Sequence, residues 1–175
     1  EEIAPKLAAH QDAISLNPVL FKRIKDLYDA RESLRLNTED AWLLERYYKD
    51  LIHEGAHLTE AQRERLKQLN EELSSLETQF SKNVLADTND LAILVESVEE
   101  LDGLSENEIA AAAAAAKDRG HDGKWLIGMV NFTGNPVLDS LTNRELRKKI
   151  MQASMLKANR ANDNDNKPVL LKMVK

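Results

Sequence analysis

"LTEAQRERLKQLNEELSSLETQF", residues 58–80, decides the fold of this chain. Leu66, Leu69, Leu73, Leu76 and Phe80 follow one another at spacings of 3, 4, 3 and 4. That rhythm lays one apolar stripe along a helix and fits no strand, whose side chains alternate with period two. Thr59 and Gln62 stand at the two ends of a capping box, so the helix starts there and continues to about Phe80. The stripe is barely two heptads long. It suits an antiparallel bundle with neighbouring helices better than a coiled-coil dimer.

Upstream, three more helices are expected. Residues 2–14 carry Ile3, Leu7 and Ile14 and stop before Asn17-Pro18. Asn17 is a natural N-cap, with Pro18 at the first helical position, where its missing N–H costs nothing. The helix behind it aligns Leu20, Phe21, Ile24, Leu27 and Tyr28 on one face. "RLNTED", 35–40, breaks the pattern. Asn37 or Thr38 caps a third helix, which carries Trp42, Leu43, Tyr47 and Leu51 to about Glu54, and Gly55 terminates it.

Downstream, the pattern changes after "DTND", 87–90. "LAILVE", 91–96, reads as a strand. Ser105 and Glu108 form a second capping box, opening a helix that holds the alanines 110–116 and ends at Gly120. Alanine is the best helix former, so the run is read as a stable helix packed flat. "KWLIGMVNF", 124–132, is a second strand candidate, whose direction of pairing the sequence leaves open. Asn135-Pro136 begins a short helical turn. Thr142 and Glu145 form a third capping box for a helix to about Lys157. "NRANDNDN", 159–166, is a polar loop, and a last helix starts at Lys167. The expected architecture is mainly α, a helical-bundle-like fragment with a small two-stranded β element in the second half. Residues 1–90 form a four-helix segment, and residues 91–175 carry the β element and further helices in the same lobe.

Composition narrows the function. The 175 residues include no cysteine, which removes disulfides and thiolate metal sites. A net charge of −6 argues against a nucleic-acid binder, and the longest apolar run, 109–116, is too short to span a bilayer. Both ends read as cut, Glu1-Glu2-Ile3 as helix already under way and "PVLLKMVK" as a stretch without a terminator. The expectation is a fragment of a longer protein.

"HEGAH", 53–57, matches H-E-x-x-H, a pattern whose chemistry depends on geometry. Two histidines at i and i+4 converge on one metal ion only if they share one helix, with the glutamate beside them reaching the bound water. Here Gly55 stands between His53 and His57, and Thr59 must begin a new helix. Glu77 would lie on the order of 25 Å along that helix, too far to be a third ligand, and Glu71 and Glu72 fail for the same reason. His10 and His121 lie in unrelated segments. "DNDNKP", 163–168, echoes a calcium loop, but Pro168 occupies the glycine position and Val174 the glutamate position. It reads as a solvated loop. "RELRKK", 144–149, reads as a solvated basic face. No catalytic, cofactor-binding or metal-binding residue is assigned.

Recognition of longer stretches goes further. "GAHLTEAQRERLKQLNEELSSLETQFSKNVLADTND", 55–90, resembles the bacterial peptidyl-dipeptidase branch of the thimet oligopeptidase family of zinc metallopeptidases. "LDGLSENEIAAAAAAAKDRGHDGKWLIGM", "LTNRELRKKIMQAS" and "LFKRIKDLYDARESL" resemble further segments of that family, so the likeness covers essentially the whole chain. The family's corner motif includes Gly55, Ala56 and Leu58 but does not call for His53, Glu54 or His57.

The resemblance implies a parent several times longer, whose H-E-F-G-H helix and third zinc ligand lie in a half absent from this chain. It implies an almost wholly helical fold of two lobes around a narrow channel that admits short peptides, from which the parent releases C-terminal dipeptides. This chain would be part of the N-terminal lobe, a scaffold and channel wall without activity of its own. Its partner would be the missing catalytic lobe, with no nucleic acid or membrane. Zinc is implied for the parent and none is expected here. The compartment is taken as cytoplasmic, with periplasmic as the alternative. Two rival readings are a stand-alone helical interaction module using the Leu66–Phe80 seam and a small metallohydrolase centred on HEGAH.

Overall fold

The computed structural model describes residues 3–175, with side chains for all of these except residues 131–133. The chain divides into two compact units, Glu1–Thr78 and Gln79–Lys175, and the division falls inside the long helix.

The first unit holds α1 (Ile3–Ser15), α2 (Pro18–Asp29), α3 (Thr38–Glu54) and the first turns of α4 (Glu60–Asp90). Glu2, read from sequence as the start of α1, lies outside the described residues, as does Glu1. The caps follow from the residue types. Asn17 Oδ1 accepts from the N–H groups of Val19 and Leu20 at 2.9 and 3.0 Å, and Asn37 Oδ1 accepts from Asp40 N at 2.8 Å. Each satisfies donors that a helix start leaves orphaned. At the head of α4, Thr59 N donates to Gln62 Oε1 at 3.0 Å and Gln62 N to Thr59 Oγ1 at 3.4 Å, the two halves of the expected capping box.

Helices α2 and α3 pack through a ring stack in which Tyr48 lies 4.0 Å from Tyr28 and 6.2 Å from Phe21, between centroids. Among the described residues, the buried apolar side chains of this unit are few: Leu16, Leu51 and Ala56. The seam of α4 is unevenly covered. Leu66, Leu76 and Phe80 are half-buried, whereas Leu69 and Leu73 are exposed.

The second unit runs from the last turns of α4 through β1 (Ile93–Val95), a 3-10 turn (Val98–Leu101), α5 (Glu106–Asp118), β2 (Trp125–Ile127), α6 (Asn131–Ser140), α7 (Arg144–Met155) and α8 (Lys167–Met173). The two strands pair antiparallel, with Ile93 opposite Ile127 and Val95 opposite Trp125, which settles the direction left open by the sequence. Around them Val95, Leu101, Ile127, Met129, Val137, Leu141, Leu146 and Ile150 form one buried cluster. Full burial of side chains of this size stabilises by roughly 1.5–3 kcal/mol each.

Several boundaries differ from expectation. α4 continues ten residues beyond Phe80, through "DTND" to Asp90. Asn83 and Asp87 are buried there by partners in the 156–166 loop, contacts that a local reading cannot contain. For the same reason that loop is not simply solvated: Ala158 and Asn166 are 7% and 3% exposed. β2 stops at Ile127, and a helix begins at Asn131 with Pro136 inside it, where the sequence suggested strand to residue 132 and a helical turn from Asn135. The Gly134 N–H already donates to Val130 O at 2.8 Å, so the helix is under way before the proline.

The cap of α7 is Asn143, whose Oδ1 accepts from Leu146 N at 3.1 Å, not Thr142. Thr142 is drawn off by the 3-10 turn instead. Its N–H donates to Asp102 O at 3.0 Å and its hydroxyl to Asp102 Oδ2 at 2.6 Å. Next to that contact Gly103 has φ +94°, and a Cβ there would stand 2.1 Å from Ser140 O, so no other residue fits without moving backbone.

Candidate functional site

The H-E-x-x-H stretch lies where α3 ends. His53 is in its last turn and Glu54 is its last residue. Gly55 then takes φ +97°, and Ala56 N donates to Leu51 O at 2.9 Å while Gly55 N donates to Ile52 O at 3.1 Å, a Schellman termination. The corner is built on its apolar side. Ala56 is 2% exposed, and a Cβ on Gly55 would meet Leu66 at 2.8 Å and Leu58 at 3.0 Å. His53 and His57 are both exposed and lie on opposite sides of the helix break. The arrangement required for two imidazoles to share an ion is missing, and these residues do not fit a zinc site. Among the described residues, no group of three or more His, Cys, Asp or Glu side chains is placed to hold a metal ion. Glu77 belongs to the uninterrupted α4, as the distance argument from sequence requires.

Beside His53 the exposed face of α3 forms a shallow depression lined by Trp42, Glu45, Arg46, Lys49 and Asp50. Its charges are paired along the helix. Glu45 meets Lys49 at 2.6 Å, Arg46 meets Asp50 at 3.5 Å, and the Arg46 guanidinium lies 5.4 Å from the centre of the Trp42 ring system. The Lys49 ammonium beside Glu45 holds that carboxyl below its usual range, and Glu45 raises Lys49 in turn. These are solvated i,i+4 pairs with no chemistry left over.

A deeper concavity lies in the second unit. A cleft of about 510 Å³ runs between α5 and β2, walled by Ala111, Ala112 and Ala115 on one side and by Leu126, Ile127 and Val137 on the other. The alanine run is therefore not packed flat throughout. Ala116 is fully buried, while its neighbours border open space because their side chains are too short to fill it. Two of the polar groups at the rim, Glu108 and Arg119, are already engaged. Glu108 accepts from Ser105 N at 2.8 Å and from Ser105 Oγ at 2.6 Å, closing the expected capping box. Arg119 donates to Asn89 O and Asn89 Oδ1, both at 2.9 Å. Such a wall can accommodate an apolar side chain, and it offers no nucleophile paired with a base.

The most heavily bonded polar site was missed by sequence reasoning. Asp87, fully buried, accepts from Ala158 N at 2.7 Å, Arg160 Nε at 3.1 Å and Asn164 Nδ2 at 3.0 Å, with a further ion pair to Arg160 through its second guanidinium nitrogen. The Arg160 guanidinium, followed by the Asn164 and Ala158 donors, outweighs burial and lowers its pKa to about 2. A signal existed. Positions 66, 69, 73, 76, 80, 83 and 87 keep one rhythm of three and four, but the last two are Asn and Asp and break the apolar pattern.

No helix among the described residues is long and apolar enough to cross a membrane. No family model matches the chain. Over 174 residues, 99% of this chain, it is 35% identical to a dipeptidyl carboxypeptidase of Escherichia coli, of which it covers 26%. It is 32% identical, with the same coverage of both chains, to the dipeptidyl carboxypeptidase of Salmonella typhimurium. Against oligopeptidase A of Escherichia coli it is 28% identical over 167 residues, 95% of this chain and 24% of that protein. The chain thus spans about a quarter of the length of the curated relatives it matches.

Proposed function

We propose that this homologue of the dipeptidyl carboxypeptidases and oligopeptidases A, a member of the thimet oligopeptidase family that its sequence resembles, is the non-catalytic N-terminal part of a peptidase. One observation carries the reading: 35% identity across 99% of this chain falls on only 26% of the dipeptidyl carboxypeptidase. The parent then hydrolyses short peptides, releasing C-terminal dipeptides, with zinc held by residues outside this chain. Residues 1–175 act as scaffold and channel wall, and their partner is the catalytic remainder of the same polypeptide, in the cytoplasm. The helix break at Gly55 supports this, because it leaves His53 and His57 without the shared helix that a metal pair needs.

The test is elemental analysis combined with a peptide-hydrolysis assay on residues 1–175 in the presence of added zinc. The expected result is no stoichiometric metal and no turnover. One zinc per chain, lost on His53→Ala, would overturn the reading in favour of a metallohydrolase at HEGAH. Exposure of Leu69 and Leu73 on α4 favours one second reading, a helical module that associates through this seam. Sedimentation decides it: a monomer whose behaviour is independent of concentration removes that option.

A further inference from the structure

We infer that the last turns of α4, the loop 156–166 and α8 form a polar clasp that opens as one piece while the apolar core of the second unit stays folded. The core cluster runs from Val95 to Ile150 and takes no member from residues 79–90 or 156–175. The buried apolar side chains of the clasp are only Ala158 and Val169, and Leu85, Leu156, Leu170 and Leu171 are exposed. Polar contacts hold it instead, and three of them reach the rest of the unit and must break on opening: Lys157 Nζ donates to Met129 O at 2.9 Å, and Arg119, just after α5, donates to Asn89 O and Oδ1. Asp87 gathers Ala158, Arg160 and Asn164, and Arg160 also reaches Asp90 at 3.3 Å. One turn earlier, Asn83 Nδ2 donates to Asn166 Oδ1 at 2.8 Å, Asn166 Nδ2 donates to Phe80 O at 3.0 Å, and Gln79 Nε2 donates to Asn83 Oδ1 at 2.6 Å. Asn166 N closes the loop on Ala158 O at 2.8 Å.

Two features make this arrangement all-or-none. Asn83 and Asn166 are buried as each other's partners, and buried Asp87 is the shared acceptor of Ala158, Arg160 and Asn164, so opening at either point leaves a buried polar group unsatisfied and the losses are cooperative rather than additive. The loop also carries Ala158 at φ +52° and Ala161 at φ +54°, a left-handed conformation that a residue with a Cβ keeps only while it is held. Once Asp87 lets go, the alanines relax. The polar turns after Phe80 then lose what kept them helical, because "SKNVLADTND" has no continuous apolar stripe of its own. Opening shortens α4 and frees α8 together, and β1, α5, β2 and α7 remain.

Hydrogen exchange on the full chain, read by mass spectrometry at low urea concentrations, tests this. In the wild type, amides of 83–90 and 158–170 are expected to share one opening isotherm, distinct from that of 93–95, 125–127 and 146–152. Asp87→Asn is expected to speed exchange in both clasp segments by at least about tenfold, with the core amides changed less than about twofold. Equal acceleration throughout the second unit, or acceleration of 158–166 with 83–90 unchanged, overturns the proposal. If Asp87→Asn does not fold, Asn164→Ala removes one donor and the wild-type isotherms decide by themselves: a single isotherm for clasp and core refutes it.

Discussion

In the second unit Leu101, Leu141 and Ile150 are at most 1% exposed, whereas in the first Ile3, Leu7, Val19, Trp42 and Tyr47 are each more than half exposed. The contrast comes from architecture rather than composition. Both halves carry well-formed amphipathic helices. In the second, a strand pair gives α5, α6 and α7 a common surface to close upon. In the first, local devices do much of the holding, the Asn17 and Asn37 caps and the Tyr28–Tyr48 stack, together with a half-buried long-range contact in which Asn70 donates to Asp12 at 2.7 Å. A stripe of apolar residues is thus sufficient to make a helix, but a second packed layer is needed to bury it.

The contrast can be attacked most forcefully at the glycines. Gly103→Ala places its Cβ against backbone at Ser140 O and also strains a positive φ, so a loss on the order of 4 kcal/mol is expected in urea or thermal unfolding. Gly55→Ala meets only the flexible ends of Leu66 and Leu58 and should cost about 1–2 kcal/mol, mostly for its left-handed backbone. Equal costs would mean that the two units are packed to the same tolerance, contrary to the difference in burial.

An intermediate effect is expected from acid. The Asp87 pKa is depressed from 3.8 to about 2, so its contribution to stability is complete above the unfolded value and is lost as pH falls through the folded one. Between about pH 4 and pH 2 the wild type should lose roughly 2 kcal/mol that Asp87→Asn does not lose, as measured by urea midpoints across that range. Identical pH profiles for the two proteins would contradict the depressed carboxylate.

The smallest effect should come from the open face of the first unit. Leu7→Ser and Leu43→Ser, at positions 62% and 43% exposed, are expected to change stability by no more than about 0.5 kcal/mol while reducing binding of an apolar dye. A core-sized loss at either position would show that the face is covered.

What the sequence determined by itself was local: helix starts at Asn17, Asn37, Thr59 and Ser105, the stop at Gly55, and the reason why HEGAH cannot act as one helical ligand pair. Each rests on contacts within about five residues, which the order of residues states directly. Likeness along the chain supplied the peptidase relation. Tertiary structure decided where α4 ends, which residue caps α7 and what the loop 156–166 does. Asp87 and Asn83 continue the rhythm of the leucine seam in polar form, and their partners arrive from 71 to 83 residues further on. Thr142 is a good cap that Asp102, 40 residues away, claims first. A buried polar residue takes its meaning from the partner that satisfies it, and a partner so distant in the chain is brought within reach only by the fold.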